Sequence, residues 1–177
     1  EGLAGKDPGV LTLCARVWID LRHQEKKWYK DAEKLLKKAL KRKKNHEGAT
    51  YYMGELYIYQ YEFSQAEDHF RKVVEMKGEY SAKADKMWQM SQKIVRAMPG
   101  TLAGKKVALH EEITRADLAV LLAEELKIST LIERQTTPSS GFQTPEEMRN
   151  ANTPAGGPSD SKGHWAEVWI NELSQYG

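Results

Sequence analysis

Through the first hundred positions apolar residues recur at spacings of three and four with charged residues between them, the periodicity of helices that bury one face. The pattern is written twice, 34 residues apart: YKDAEKLLKKAL (29–40) lies over FSQAEDHFRKVV (63–74), aligning Tyr29 with Phe63, Ala32 with Ala66, Leu36 with Phe70, Ala39 with Val73 and Leu40 with Val74. Charges repeat too, with Glu33 over Glu67, Lys37 over Arg71 and Lys38 over Lys72. Such a period predicts stacked helical hairpins. Partner helices are expected over LTLCARVWIDLRH (11–23) and HEGATYYMGELYIYQ (46–60). A further helix over 81–98 carries Ala84, Met87, Trp88, Ser91, Ile94 and Val95 along one side and stops at Pro99-Gly100. Gly54 is costly inside a helix unless a neighbouring backbone comes close, and Ala66 is the matching small residue on the other arm.

Beyond residue 100 the pattern changes. ITRADLAVLLAEEL (113–126) reads as a capped helix start, with Thr114 as N-cap, Asp117 as capping-box partner and Ile113 and Leu118 as a hydrophobic staple. Leu118, Leu121, Leu122 and Leu126 form one apolar face, and Ala116, Ala119, Val120 and Ala123 a second, smaller one, so this helix is expected to pack on two sides. Arg115 breaks the rule, because a cation at a helix N-terminus is disfavoured by about 0.3–1 kcal/mol. Residues 136–163 hold four prolines and four glycines and predict a linker or long loop, with one capped turn at TPEEM. GHWAEVWINELSQYG (163–177) then predicts a short helix with Trp165, Trp169 and Leu173 on a wide apolar face beside Ala166, Val168 and Ile170. The expected architecture is all-α: helical hairpins over 1–100, a helical segment over 101–133, a Pro/Gly/Thr-rich linker over 134–159 and a final helix over 160–177.

The net charge of +2 conceals a division: residues 1–100 hold 20 Lys+Arg against 14 Asp+Glu, and residues 101–177 hold 7 against 11. The basic run KKALKRKKNH (37–46) does not point to nucleic acid. Leu36, Ala39 and Leu40 take the buried stripe, the lysines are left to solvent and the helix C-terminus, and no aromatic stacking platform is interleaved. GTLAGKK (100–106) has its glycines one residue too close for a phosphate loop and Lys106 where a Ser or Thr is needed, so a turn is expected. A single cysteine, Cys14, excludes an internal disulfide and cysteine-pair zinc sites, and reads as a small helix-core residue. The stretch LTLC is like a lipoprotein cleavage box, but Leu13 is not small and no apolar run precedes it. No histidine pair has metal-ligand spacing and no nucleophile sits in a recognisable catalytic context, so neither a metal, a cofactor nor an enzymatic activity is expected. No apolar run is long enough for a transmembrane segment.

Residues 46–80 resemble the tetratricopeptide (TPR) family through Gly54, Tyr57, Phe63, Ala66 and Phe70. They depart from it at Gly78, where the family usually has proline, and at Val73, where it usually has alanine. The resemblance implies a groove that binds a protein or peptide partner, lined here by Tyr51, Glu55, Ile58 and Tyr59; the alternative is that the tyrosines pack against the neighbouring repeat. ITRADLA resembles the ITRAE helix of S-layer homology (SLH) modules, and Asp160 with GHWAEVWINEL resembles the opening helix of the same module. In the family the HWA helix precedes ITRAE; here the order is reversed, and the Phe and Pro that usually precede ITRAE are missing from GKKVALHEE (104–112).

Such modules attach bacterial proteins to cell-wall glycans. By resemblance 101–133 is a partial module and 160–177 the start of a second, in the cell envelope, whether periplasm or cell surface, with any export signal lying outside the sequence shown. A glycan or anion site is implied at Arg115, Thr114, Asp160 and Trp165. Arg115 and the free N–H groups of its helix would then face one anion on a wall polysaccharide or peptidoglycan-linked glycan. The competing reading pairs Arg115 with Glu111, Glu112 or Asp117, or leaves it solvated. The expected function is a non-catalytic envelope adaptor with one protein-binding and one glycan-contacting part. Its rival is a purely protein-binding scaffold whose SLH-like helices only cap the repeat stack.

Overall fold

A computed structural model describes residues 7–136 and 161–174, and the described residues are helical with no strand. The chain divides between Met98 and Pro99 into two compact units.

The first unit contains α1 (Pro8–Asp20), α2 (Trp28–Arg42), α3 (Glu47–Tyr59), α4 (Phe63–Met76) and α5 (Ser81–Ala97), each packed on the next in sequence up to α5, with α3 also against α1. The helix starts are written locally. Asp7 accepts the Val10 amide at 3.0 Å ahead of Pro8, and His46 Nδ1 accepts the Ala49 amide at 3.1 Å. Lys41 and Arg42 occupy the last turn of α2, where cations are favoured. A longer tie joins α3 to α5: the Tyr80 amide donates to Glu47 Oε1 at 2.8 Å.

The repeated stripe is the core. Ala32, Leu36 and Ala39 of α2 and Phe63, Ala66, Phe70 and Val73 of α4 are buried, against Leu11, Ala15 and Ile19 of α1 and Ala84, Ser91 and Ile94 of α5. Each fully buried Leu or Phe contributes roughly 1.5–3 kcal/mol. α3 is buried nearly all round, which is why its sequence shows no single apolar face. What approaches Gly54 is not a backbone, as its place in the sequence suggested, but the Phe70 ring: a Cβ at Gly54 would stand 2.8 Å from Phe70 Cε1. Cys14, expected in the core, is exposed. The buried face of α1 is Leu11, Ala15 and Ile19, and Cys14 falls on the outward row with Val10, Leu13 and Val17.

The second unit contains α6 (Leu102–Val107), α7 (Arg115–Val120) running into a π-helical turn (Leu121–Glu125), α8 (Ile128–Thr136) and α9 (Glu167–Ser174). The segment expected to be a turn at 100–106 is largely helix, because Thr101 caps it by accepting the Gly104 amide at 3.0 Å. Its core is small: Val107, Val120 and Ala166, with Ala103, Ala116, Leu121, Trp169 and Ile170 packed around them. The two-sided packing expected of 113–126 is half realised. Ala119, Val120 and Ala123 are buried, whereas Leu118 and Leu126 are 51% and 58% exposed, and the staple residue Ile113 is 64% exposed. The π turn offers one reason, since its wider winding shifts the leucine row out of line with the preceding α-helical turn. α8 runs on to Thr136, so the segment expected as linker begins in helix; its remainder, including TPEEM, lies outside the described residues.

Gly54→Ala tests the ring contact. The substitution gains about 1 kcal/mol of helix propensity but overpacks a fully buried ring at a cost of about 1–3 kcal/mol. We expect a lower urea midpoint at unchanged slope, and less than additive loss when Gly54→Ala is combined with Phe70→Leu.

Candidate functional site

Two carboxylates organise the second unit. Glu125, in the π turn, accepts the Thr101 hydroxyl at 2.6 Å and the amides of Thr101 and Gly100 at 2.8 and 3.0 Å, tying the start of α6 to the end of the α7 segment. The Thr101 hydroxyl and the two amides hold this carboxyl below its ordinary range, outweighing the opposing effect of burial. A Cβ at Gly104 would overlap the Glu125 carboxylate, so a side chain there would displace this clamp.

Asp117 is 1% exposed. Its Oδ2 accepts the Thr114 amide at 2.9 Å and hydroxyl at 2.7 Å, its own amide donates to Thr114 Oγ1 at 3.2 Å, and Oδ1 meets His110 Nδ1 at 3.0 Å. Burial alone would raise this carboxyl, but the Thr114 and His110 hydrogen bonds outweigh it and the net shift is downward. The capping box is therefore present as the sequence indicates.

Arg115 follows directly on this cap. It is exposed and, among the described residues, makes no ion pair with Glu111, Glu112 or Asp117.

Beside α6 and α9 lies a cleft of about 480 Å³ lined by Thr101, Leu102, Lys106, Glu124, Trp165 and Trp169, among others. Trp165 is 54% exposed, and its ring lies 6.1 Å from that of Trp169, inclined at 59°. Trp169 Nε1 donates to Glu124 Oε1 at 2.8 Å, which fixes the indole and holds the carboxylate on the cleft wall. Behind it the Ser129 hydroxyl donates to Glu172, joining α8 to α9. The cleft combines two apolar ring faces with one cation and one carboxylate, a set suited to a polar ligand that also has flat apolar faces.

Of the expected glycan or anion residues, only Trp165 lines this cleft; Thr114 and Arg115 do not, and Asp160 lies outside the described residues. Lys106, Glu124 and Trp169 were not identified from the sequence. The spacing of Trp165 and Trp169, four apart, is a usable signal, but the sequence reading places only Trp165 in a ligand site and leaves Trp169 on the apolar helix face.

In the first unit the four groove positions separate. Tyr51 and Ile58 are 7% and 6% exposed, Tyr51 lying against Phe70, Tyr52 and Tyr80 at centroid distances of 5.6, 5.4 and 5.1 Å. Burial raises the Tyr51 hydroxyl and pushes Tyr52 up to about 12. Glu55 is half-buried, and that burial raises its carboxyl despite the hydrogen bond from Tyr51. Tyr59 is 37% exposed, with the Arg22 guanidinium 4.8 Å from its ring centroid and the Trp28 ring edge-on at 5.8 Å. The accessible surface is thus Glu55 and Tyr59 with Arg22 and Trp28.

Among the described residues no group of histidine, cysteine and carboxylate side chains is placed to hold a metal, and no helix is long and apolar enough to cross a membrane. No protein-family model, curated protein or solved structure matches the chain.

The two depressed carboxyls generate a pH dependence. A group whose folded pKa lies below its unfolded value stabilises above the unfolded value, and loses that contribution as pH falls through the folded one. The contribution of these two carboxyls should therefore be unchanged from neutral pH down to the ordinary carboxylate range and be lost below it. Asp117→Asn should be less stable at pH 7 and show a shallower decline on acidification, read from urea midpoints across the acid range.

Proposed function

We propose that this protein is a non-catalytic adaptor of the bacterial cell envelope, at the surface or in the periplasm, that contacts a wall glycan with its second unit and a protein partner with its first. The observation that carries the reading is the cleft of Trp165 and Trp169. Indole faces stack on the C–H faces of a sugar ring, while Lys106 can donate to its hydroxyl or acidic substituents and Glu124 can accept from its hydroxyls. The sequence resemblance to SLH modules supports the same ligand class. Arg115, exposed and without an ion pair among the described residues, is available to an acidic substituent. For the first unit, the resemblance to TPR hairpins supports a peptide partner, and the surface open to it is Glu55 and Tyr59 rather than all four expected positions.

Sedimentation with isolated cell walls tests the reading. Wild type should be retained, Trp165→Ala should reduce retention about tenfold or more, and Arg115→Glu should weaken it further in a salt-sensitive way. If neither substitution changes retention while a partner peptide is still bound, the purely protein-binding scaffold is the better account.

A further inference from the structure

The first unit has a cleft of about 550 Å³ whose walls include Leu40 from α2, Lys44 from the turn after it, and His69, Lys72, Glu75 and Met76 from α4. None of the four groove positions lines it. Its volume falls in the range of about 300–1,000 Å³ typical of clefts that seat ligands.

Its polar groups point to one sign of ligand charge. Lys44 and Lys72 are exposed and make no ion pair among the described residues. The wall's carboxylate, Glu75, is engaged by Arg71 at 3.2 Å and so does not neutralise them.

His69 adds a third donor. Its Nδ1 is buried with no hydrogen-bond partner among the described residues, and its ring lies 5.3 Å from that of Tyr57. Burial, and then the charge of Lys72, lower its pKa to about 4, so the ring is neutral near pH 7. A buried N–H without an acceptor is rarer than an under-satisfied acceptor, so the favoured tautomer leaves a lone pair at Nδ1 and the proton on Nε2. Leu40 and Met76 supply apolar surface beside these donors.

We propose that this cleft binds an acidic peptide segment of a protein partner, with carboxylates on Lys44, Lys72 and His69 Nε2–H and a neighbouring apolar side chain against Leu40 and Met76. A small inorganic anion would leave the apolar wall unused. A nucleic acid would want an open aromatic face, and the ring in this cleft is already packed against Tyr57 at a tilt of 32°. The basic run Lys41, Arg42, Lys43 and Lys44 extends the positive field around the entrance and would speed encounter with an acidic partner. The site is independent of the groove at Glu55 and Tyr59, and of the glycan reading.

The test uses the whole chain at ~150 mM ionic strength, where the Debye length is about 8 Å and diffuse attraction is largely screened. The probes are a blocked peptide of alternating glutamate and leucine, its glutamine counterpart, a short single-stranded oligothymidine and inorganic phosphate. Saturable binding is expected for the glutamate peptide and not for the glutamine one. Lys44→Ala with Lys72→Ala should weaken it about tenfold or more, whereas Lys83→Ala with Lys93→Ala, exposed on α5, should change it by less than about twofold. The imidazole resonances of His69 should titrate at higher pH in the complex, since nearby carboxylates favour the imidazolium. Equal losses in the two lysine pairs, binding of the glutamine peptide, or tighter binding of oligothymidine or phosphate than of the glutamate peptide would each overturn the proposal.

Discussion

Phe70 lies with its ring against the bare α-carbon of Gly54, and the close approach of α3 and α4 that this permits sets where the other residues of those helices fall. With α3 drawn in, Tyr51, Tyr52 and Ile58 are enclosed with Phe70 and Tyr80. Phenol hydroxyls buried in this way need partners, and Glu55 serves that purpose for Tyr51. A packing requirement has therefore used side chains that a more open groove would have offered to a ligand. What remains accessible is displaced toward the end of α3, where Tyr59 is held between Arg22 and Trp28.

The second unit is held differently. Its buried apolar cluster is too small to fix four helical segments by area alone, and several large apolar side chains stay exposed. Carboxylates supply the missing specificity. Glu125 gathers the start of α6, Asp117 gathers Thr114 and His110, and Glu124 and Glu172 reach Trp169 and Ser129. A charge-assisted hydrogen bond is directional where hydrophobic burial is not, so a few of them can set geometry that a thin core leaves open. The acidic balance of residues 101–177 thus has a structural use, since Glu124, Glu125 and Asp117 all bind within the fold.

The first unit was legible because its repeat stripe is also its core: Leu36 and Phe70, aligned by period, are both fully buried. Gly54 was legible as a contact but not as to its neighbour, because spacing along one helix does not say whether a ring or a backbone fills the notch. The outward place of Cys14 is not legible, since an isolated helix with apolar residues on several rows does not declare which row faces inward. In the second unit the cap at Thr114 and Asp117 could be read because it is local, spanning four residues. The Glu125 clamp and the Trp169–Glu124 bond join positions 24 and 45 apart in sequence, and no local pattern announces them. The leucine row of 113–126 follows an ideal helical period in the sequence, and the π turn breaks that period.

The same distinction explains the arginine at the head of α7. Taken alone, a cation at the first helical position opposes the helix dipole by about 0.3–1 kcal/mol. Two residues on, however, Asp117 is buried as an anion against the same helix end, and it offsets the unfavourable charge more directly than a surface ion pair would. Because Thr114 and His110 occupy its oxygens, Asp117 stabilises the helix start without pairing with Arg115. The buried carboxylate keeps the helix, and the guanidinium stays at the surface with its donors uncommitted among the described residues.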